Sequence, residues 1–252
     1  MKMNLNSDVN VLGSLQDFSL VKLFLADNLK SLGQKGGLHS STGMKTVKSI
    51  KRFEKAISGT LLTFKTKESE LLVKNMLENE GITADSLLLL FWNASANNEL
   101  LNYLNNEVYF TAFYSGRLTI KQDEVIACLK DLKERENELK KWSDSTLYTT
   151  ASKYLTLLKK FNLMEGTLNK KIIHPYLNDK MFVSFIYWLC ATEVKSNLLE
   201  SEWLKYSFFE KPVFIERLMQ KKFSRFFNLL YTGDKLTIET LVPYPNIYHA
   251  VK

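Results

Sequence analysis

A chain of 252 residues with 45% hydrophobic and 24% charged residues has the make-up of a soluble globular protein with a sizeable core. Ten Gly and four Pro are too few for a turn-rich β sandwich, and two cysteines, Cys128 and Cys190, lie in apolar segments and supply no disulfide framework. The net charge of +7 is unevenly spread: residues 1–60 carry +5, 61–116 carry −4, 117–171 carry +4 and 172–252 carry +2. Two basic regions flanking an acidic one suit a polyanionic partner. The plain alternative is a lysine-rich solvated surface.

Taken in chain order, the N-terminal stretch MKMNLNSDVNVLGSLQD has no apolar run, so no signal peptide is expected and the reading is cytoplasmic. Residues 15–32 place Leu20, Leu23, Phe24, Leu29 and Leu32 at helical spacing, and GQKGG reads as a loop. A second helix follows, with Ser41 or Thr42 as its cap and Val47, Ile50, Phe53 and Ile57 within it. Lys45, Lys48, Arg52 and Lys55 share one sector of this helix, largely opposite Val47, Ile50 and Ile57. Residues 68–80 predict a helix ended by Gly81, and TADSLLLLFWNASA another, capped by Thr83 or Asp85. Helical spacing continues to Ser115 and Gly116. In residues 119–141, Val125, Leu129 and Leu132 form an apolar stripe, and ERENELKK reads as a solvated face.

The stretch KKWSDSTLYTTASKYLTLLKKFNLMEGTLNKKIIHP carries the sharpest signal. Ser143 or Asp144 is a good N-cap. On a helical wheel Leu147, Ala151, Tyr154, Leu158 and Phe161 fall on one side. Ser145, Thr149, Ser152, Thr156 and Lys160 fall on the other, flanked by Lys153 and Lys159. Short hydroxyl side chains allow close approach to a phosphate or a groove. The first turn, with Ser145 and Thr146, carries the positive end of the helix dipole. A hairpin around Gly166 with Lys170 and Lys171 at its basic tip then follows. Helix, helix, hairpin is the order of a winged helix, a relative of helix-turn-helix.

Residues 181–191, MFVSFIYWLCA, are far short of the ~20 apolar residues that cross a bilayer, and predict a core helix. Pro212 marks a helix start before VFIERLMQKK. The segment FFNLLYTGDKLTIETL predicts a hairpin turning at TGDK.

The central block, with Trp142, Ser143, Asp144, Ser145 and Thr146 leading into the Leu-rich residues 155–163, resembles the BrxA family of BREX phage-defence systems. Ser41, Thr42 and the run from Ile50 to Arg52 echo a second motif of that family, and the likeness extends to LLESEWLKYSF and the closing hairpin. The loop GQKGG and the few arginines of the first basic helix depart from it. The resemblance implies an all-helical protein with winged-helix-like parts that binds double-stranded DNA. The family has also been compared with a helical RNA-binding antitermination factor and has carried an inner-membrane label, for which this sequence offers no support.

His39, His174 and His249 lack metal-ligand spacing, and no phosphate loop or nucleophile elbow is present. The expectation is therefore a non-enzymatic protein without cofactors, mainly α, with winged-helix-like subdomains. Four regions are expected: residues 1–60, helix-turn-helix-like; 61–116, acidic and helical; 117–180, winged-helix-like; 181–252, helices and a hairpin. The expected partners are double-stranded DNA and other BREX components, without membrane. Two further readings stand beside this one: a protein-interaction scaffold in a defence complex, and a helical RNA-binding protein. The scarcity of aromatic residues on the basic faces disfavours the last.

Overall fold

The computed structural model describes residues 5–25, 46–167 and 170–251. The described chain is mainly helical, with α1 (Asp8–Leu12), α2 (Ser19–Leu25), α3 (Val47–Ala56), α4 (Lys67–Glu80), α5 (Ala84–Asn97) and α6 (Glu99–Leu104) in order. Then come α7 (Thr111–Tyr114), α8 (Gln122–Arg135), α9 (Asp144–Lys160), strands β1 (Met164–Glu165) and β2 (Lys171–Ile172), and α10 (Asp179–Thr192). The chain closes with α11 (Lys211–Leu218), β3 (Phe227–Tyr231), β4 (Leu236–Thr240) and α12 (Tyr244–Ala250).

The chain packs as two compact units. One joins the residues up to Thr63 to Ile82–Ile173, and the other joins Phe64–Gly81 to the residues from His174 on.

Local chemistry sets most boundaries. Thr66 and Thr83 cap α4 and α5, each accepting from the backbone three residues on and closing a box with Ser69 and Ser86. Gly81, at φ 70°, ends α4 in a conformation that suits glycine. Two π-helical segments, Ile57–Leu61 and Asn105–Phe110, interrupt the α-helical path of the first unit. Around the first, Asn93 Nδ2 donates to the carbonyls of Leu61 and Thr63 (both 2.9 Å), and Asn97 Nδ2 donates to that of Thr60 at 3.2 Å. The asparagines thus satisfy carbonyls that a regular ladder leaves open.

The core of the first unit gathers Phe18, Phe91, Tyr109 and Phe161. The rings of Phe18 and Phe161 lie 4.9 Å apart, and those of Phe91 and Phe161 lie 5.5 Å apart. In the second unit α10 is the central element. Its residues 181–189 are all buried, as the apolar run predicts. Tyr187 Oη donates to the Phe226 carbonyl at 2.7 Å and accepts from the Val242 amide at 3.0 Å, tying α10 to both ends of the β3–β4 hairpin. No described helix is long and apolar enough to cross a membrane.

Several expectations are corrected. The first helix starts at Ser19, where the Asp17 carboxylate accepts from the Ser19 amide (2.8 Å), and α1 precedes it unforeseen. The cap of the first basic helix is Thr46, which is extended and accepts from the Ser49 amide; Ser41 and Thr42 lie outside the described residues. Val47, expected on the apolar face, is 57% exposed, because it occupies the first turn. ERENELKK is not one solvated helix face. The helix stops at Arg135, and Leu139 turns inward and is buried.

Candidate nucleic-acid interface

Helix α9 begins where the sequence marks it. Ser143 is extended, and its Oγ accepts from the Thr146 amide at 3.2 Å. Leu147, Ala151, Tyr154, Leu158 and Phe161 are all buried, as the wheel predicts. The buried face is held by polar contacts as well. Tyr154 Oη donates to Asn105 Oδ1 at 3.0 Å, and Asn105 Nδ2 donates to Ser95 Oγ at 3.0 Å, linking α9, the second π-helical segment and α5. Tyr154→Phe keeps the ring and removes that donor. It is expected to cost about 1–2 kcal/mol in chemical unfolding, with little change elsewhere.

One flank of α9 is covered by α1. Asn10 Nδ2 donates to Thr150 Oγ1 at 3.0 Å. Gly13 lies so close that a Cβ would stand 2.4 Å from the Lys153 carbonyl oxygen. The Lys160 ammonium donates to the carbonyls of Gly13 (2.9 Å) and Leu15 at the end of α1. Burial, with the charge of Lys153 beside it, lowers the Lys160 pKa to about 8. This corrects the expectation for Lys160: it is half-buried and engaged within the protein. Lys153 is likewise only partly exposed.

The face left open runs Ser145, Thr149, Ser152, Thr156, Lys159, stepping by four and three residues. Ser145 and Thr149 are exposed, while Thr146, Ser152, Thr156 and Lys159 are partly exposed. Thr156 Oγ1 donates to the Ser152 carbonyl at 2.8 Å, and Thr146 Oγ1 pairs with Ser143 Oγ at 3.0 Å. Among the described residues, the hydroxyls of Ser145, Thr149 and Ser152 make no hydrogen bond, so they are available to an external partner. Tyr148, 59% exposed, borders the row and was absent from the sequence-based candidates. Its amphipathic ring on an otherwise hydroxyl-rich turn was the available signal. Asp144, in the first turn, already places a carboxylate at the positive end of the helix.

The row leads to the hairpin. Met164 pairs with Ile172 and Glu165 with Lys171, antiparallel, and Gly166 has φ 85°. The amide of Ile172 donates to the Leu118 carbonyl and that of Ile120 to the Lys170 carbonyl, so residues 118–120 lie along β2 on the side away from β1. Residues 168–169 lie outside the described residues. Lys171 is exposed and Lys170 partly so. Burial lowers the Lys170 pKa, and the positive charge of Lys159 lowers it further, which brings the end of α9 and the hairpin into one electrostatic neighbourhood.

On α3, Lys48, Lys51, Arg52 and Lys55 are exposed, while Ile50, and Ile57 just after the helix, are buried. Lys51 joins the basic sector the sequence reading gave to Lys48, Arg52 and Lys55. Lys45 lies outside the described residues. Lys55 faces the half-buried Asp8 of α1, whose pKa burial raises. Because α1 packs against both α3 and α9, the two basic helices belong to one packed unit. Among the described residues no three His, Cys, Asp or Glu side chains converge on a metal-sized site.

No curated protein and no solved structure matches the chain. A protein-family model, BrxA, matches residues 42–186, a stretch that takes in α3, α9 and the β1–β2 hairpin. That match spans more than half of the chain, which belongs to the BrxA family of BREX phage-defence systems.

Proposed function

We propose that the protein is a non-enzymatic, cytoplasmic DNA-binding component of a BREX phage-defence system. It holds double-stranded DNA with the open face of α9 and the β1–β2 hairpin. In this reading residues 118–172 act as a winged helix: α8 and α9 are its helical pair, α9 approaches the groove, and the hairpin touches the adjacent backbone. Other BREX components are its expected protein partners, and no cofactor is involved. The basic helix α3 is a further contact of the same kind, through Lys48, Arg52 and Lys55.

The observation that carries the reading is the open row on α9. Three uncommitted hydroxyls lead to Lys159, with Lys170 and Lys171 beyond it. Among the described residues none of these lysines forms an ion pair. The positive charge of Lys159 acts on Lys170, which an anionic ligand would relieve. Short hydroxyl side chains allow the helix backbone close to a phosphate chain, and the lysines supply the counter-charge.

Contacts of this kind release counterions, so binding falls steeply as salt rises. Replacing Lys170 and Lys171 together by Gln is expected to reduce the slope of log affinity against log salt by roughly two, about one for each phosphate no longer neutralised. Duplex titrations at several salt concentrations measure it. An unchanged slope would remove the hairpin from the interface.

A further inference from the structure

We propose that the second unit carries its own contact surface for the phosphate backbone of duplex DNA, formed by Lys221, Lys222 and Arg225. This rests on the duplex-binding reading of the first unit and adds a contact outside the stretch matched by the family model, which ends at residue 186.

The surface follows from how the chain leaves α11. Residues 217–225 contain four Lys and Arg and no Asp or Glu. After α11 a short 3-10 turn, Lys221–Phe223, leads into β3. Phe223 and Phe226 are buried, with the Phe223 ring 5.2 Å from that of Phe182 on α10. Pinning those rings inward turns Lys221, Lys222, Ser224 and Arg225 outward, and all four are exposed.

Two of the cations are positioned by the aromatic core. The Arg225 guanidinium lies 4.6 Å over the Phe226 ring, and the Lys222 ammonium lies 5.0 Å from the Phe223 centroid. Lys222 also meets Asp179 at 2.7 Å, but that carboxylate is shared with Arg217 at 3.2 Å. One acid therefore faces two cations. Among the described residues, Lys221 and Arg225 form no ion pair. The surface thus holds excess positive charge, and the ring contacts hold Lys222 and Arg225 in place, which lowers the entropy cost of binding through those two. The nearby Glu239 of β4 accepts from Asn228 Nδ2 at 3.3 Å.

The order of elements supports the same ligand. In each unit a helix passes through a tight connection into an antiparallel hairpin: α9 into β1–β2, and α11 into β3–β4. In each, exposed cations stand at the hairpin: Lys171 in the first, and Lys235, beside Asp234, at the turn of the second. A duplex offers a long row of phosphates, which exposed cations of this kind can neutralise.

The full chain is titrated into a labelled random-sequence duplex at several salt concentrations. The double variant Lys221→Gln with Arg225→Gln is expected to show a slope smaller by about two, with an unchanged melting temperature. The charge-preserving pair Lys221→Arg with Arg225→Lys is expected to keep the wild-type slope. If the Gln pair leaves the slope unchanged while Thr149→Glu still suppresses binding, this surface is overturned and the α9 reading stands. A slope reduced equally in the charge-preserving pair also overturns it. If the wild-type chain does not bind duplex at all, both readings fall.

Discussion

Glutamate in place of Thr149 is expected to suppress duplex binding by roughly ten- to a hundredfold at low salt. Thr149 is exposed at the middle of the open row, and its hydroxyl makes no hydrogen bond among the described residues. A carboxylate there faces the phosphates that the neighbouring lysines would attract. Each close like-charge contact costs about 1 kcal/mol in water and more where solvent is excluded. The new side chain also lies four residues before Lys153, so it competes for that cation. Folding should survive, since Glu is a better helix former than Thr. Circular dichroism and anisotropy on the same preparation check both halves. A folded variant that binds as well as wild type would move the interface to α3, with Lys48, Arg52 and Lys55 as the leading contacts.

Alanine at Gly13 is expected to destabilise the first unit by about 3 kcal/mol, at the upper end of overpacking costs. For a protein of this size that is a melting shift of roughly 6–12 °C. Gly13 has φ −64°, so its backbone suits any residue, and the constraint is space alone. Its missing Cβ leaves room for the Lys153 carbonyl, and a methyl group would stand 2.4 Å from that oxygen. Backbone cannot yield as a flexible side chain does, so α1 must move off α9. The Lys160 ammonium would then lose its carbonyl partners. Gly59→Ala is the matched control: the nearest atom to its added Cβ is Asp8 Oδ2 at 4.0 Å, and little change is expected. Equal melting temperatures for the two variants would contradict the close packing of α1 on α9.

Much of α9 was legible because local chemistry and period agreed. Ser143 is a cap, and Leu147, Ala151, Tyr154 and Leu158 share one stripe. The same logic found α4 with Gly81, α5 with Thr83, and the two hairpins at Gly166 and TGDK. The wheel gave α9 two faces, whereas the fold gives it three. α1 covers the flank that carries Thr150 and Lys160, and a wheel contains no information about a helix far away in sequence. A five-residue helix such as α1 leaves too short a pattern to register. The first π-helical segment was equally hidden, since Asn93 and Asn97 satisfy the carbonyls of Thr60, Leu61 and Thr63 from thirty or more residues away. Val47 misled because a periodic apolar residue in a first turn need not face the core.

The central claim is that this chain grips duplex DNA through phosphate contacts centred on α9. Equilibrium anisotropy of the full chain with labelled duplex DNA, single-stranded DNA and RNA, each over a series of salt concentrations, tests it most directly. The expected result is tightest binding to the duplex, with a log–log salt slope of several units that reports its phosphate contacts. No duplex binding, a preference for RNA or single strands, or a duplex affinity indifferent to salt would contradict it.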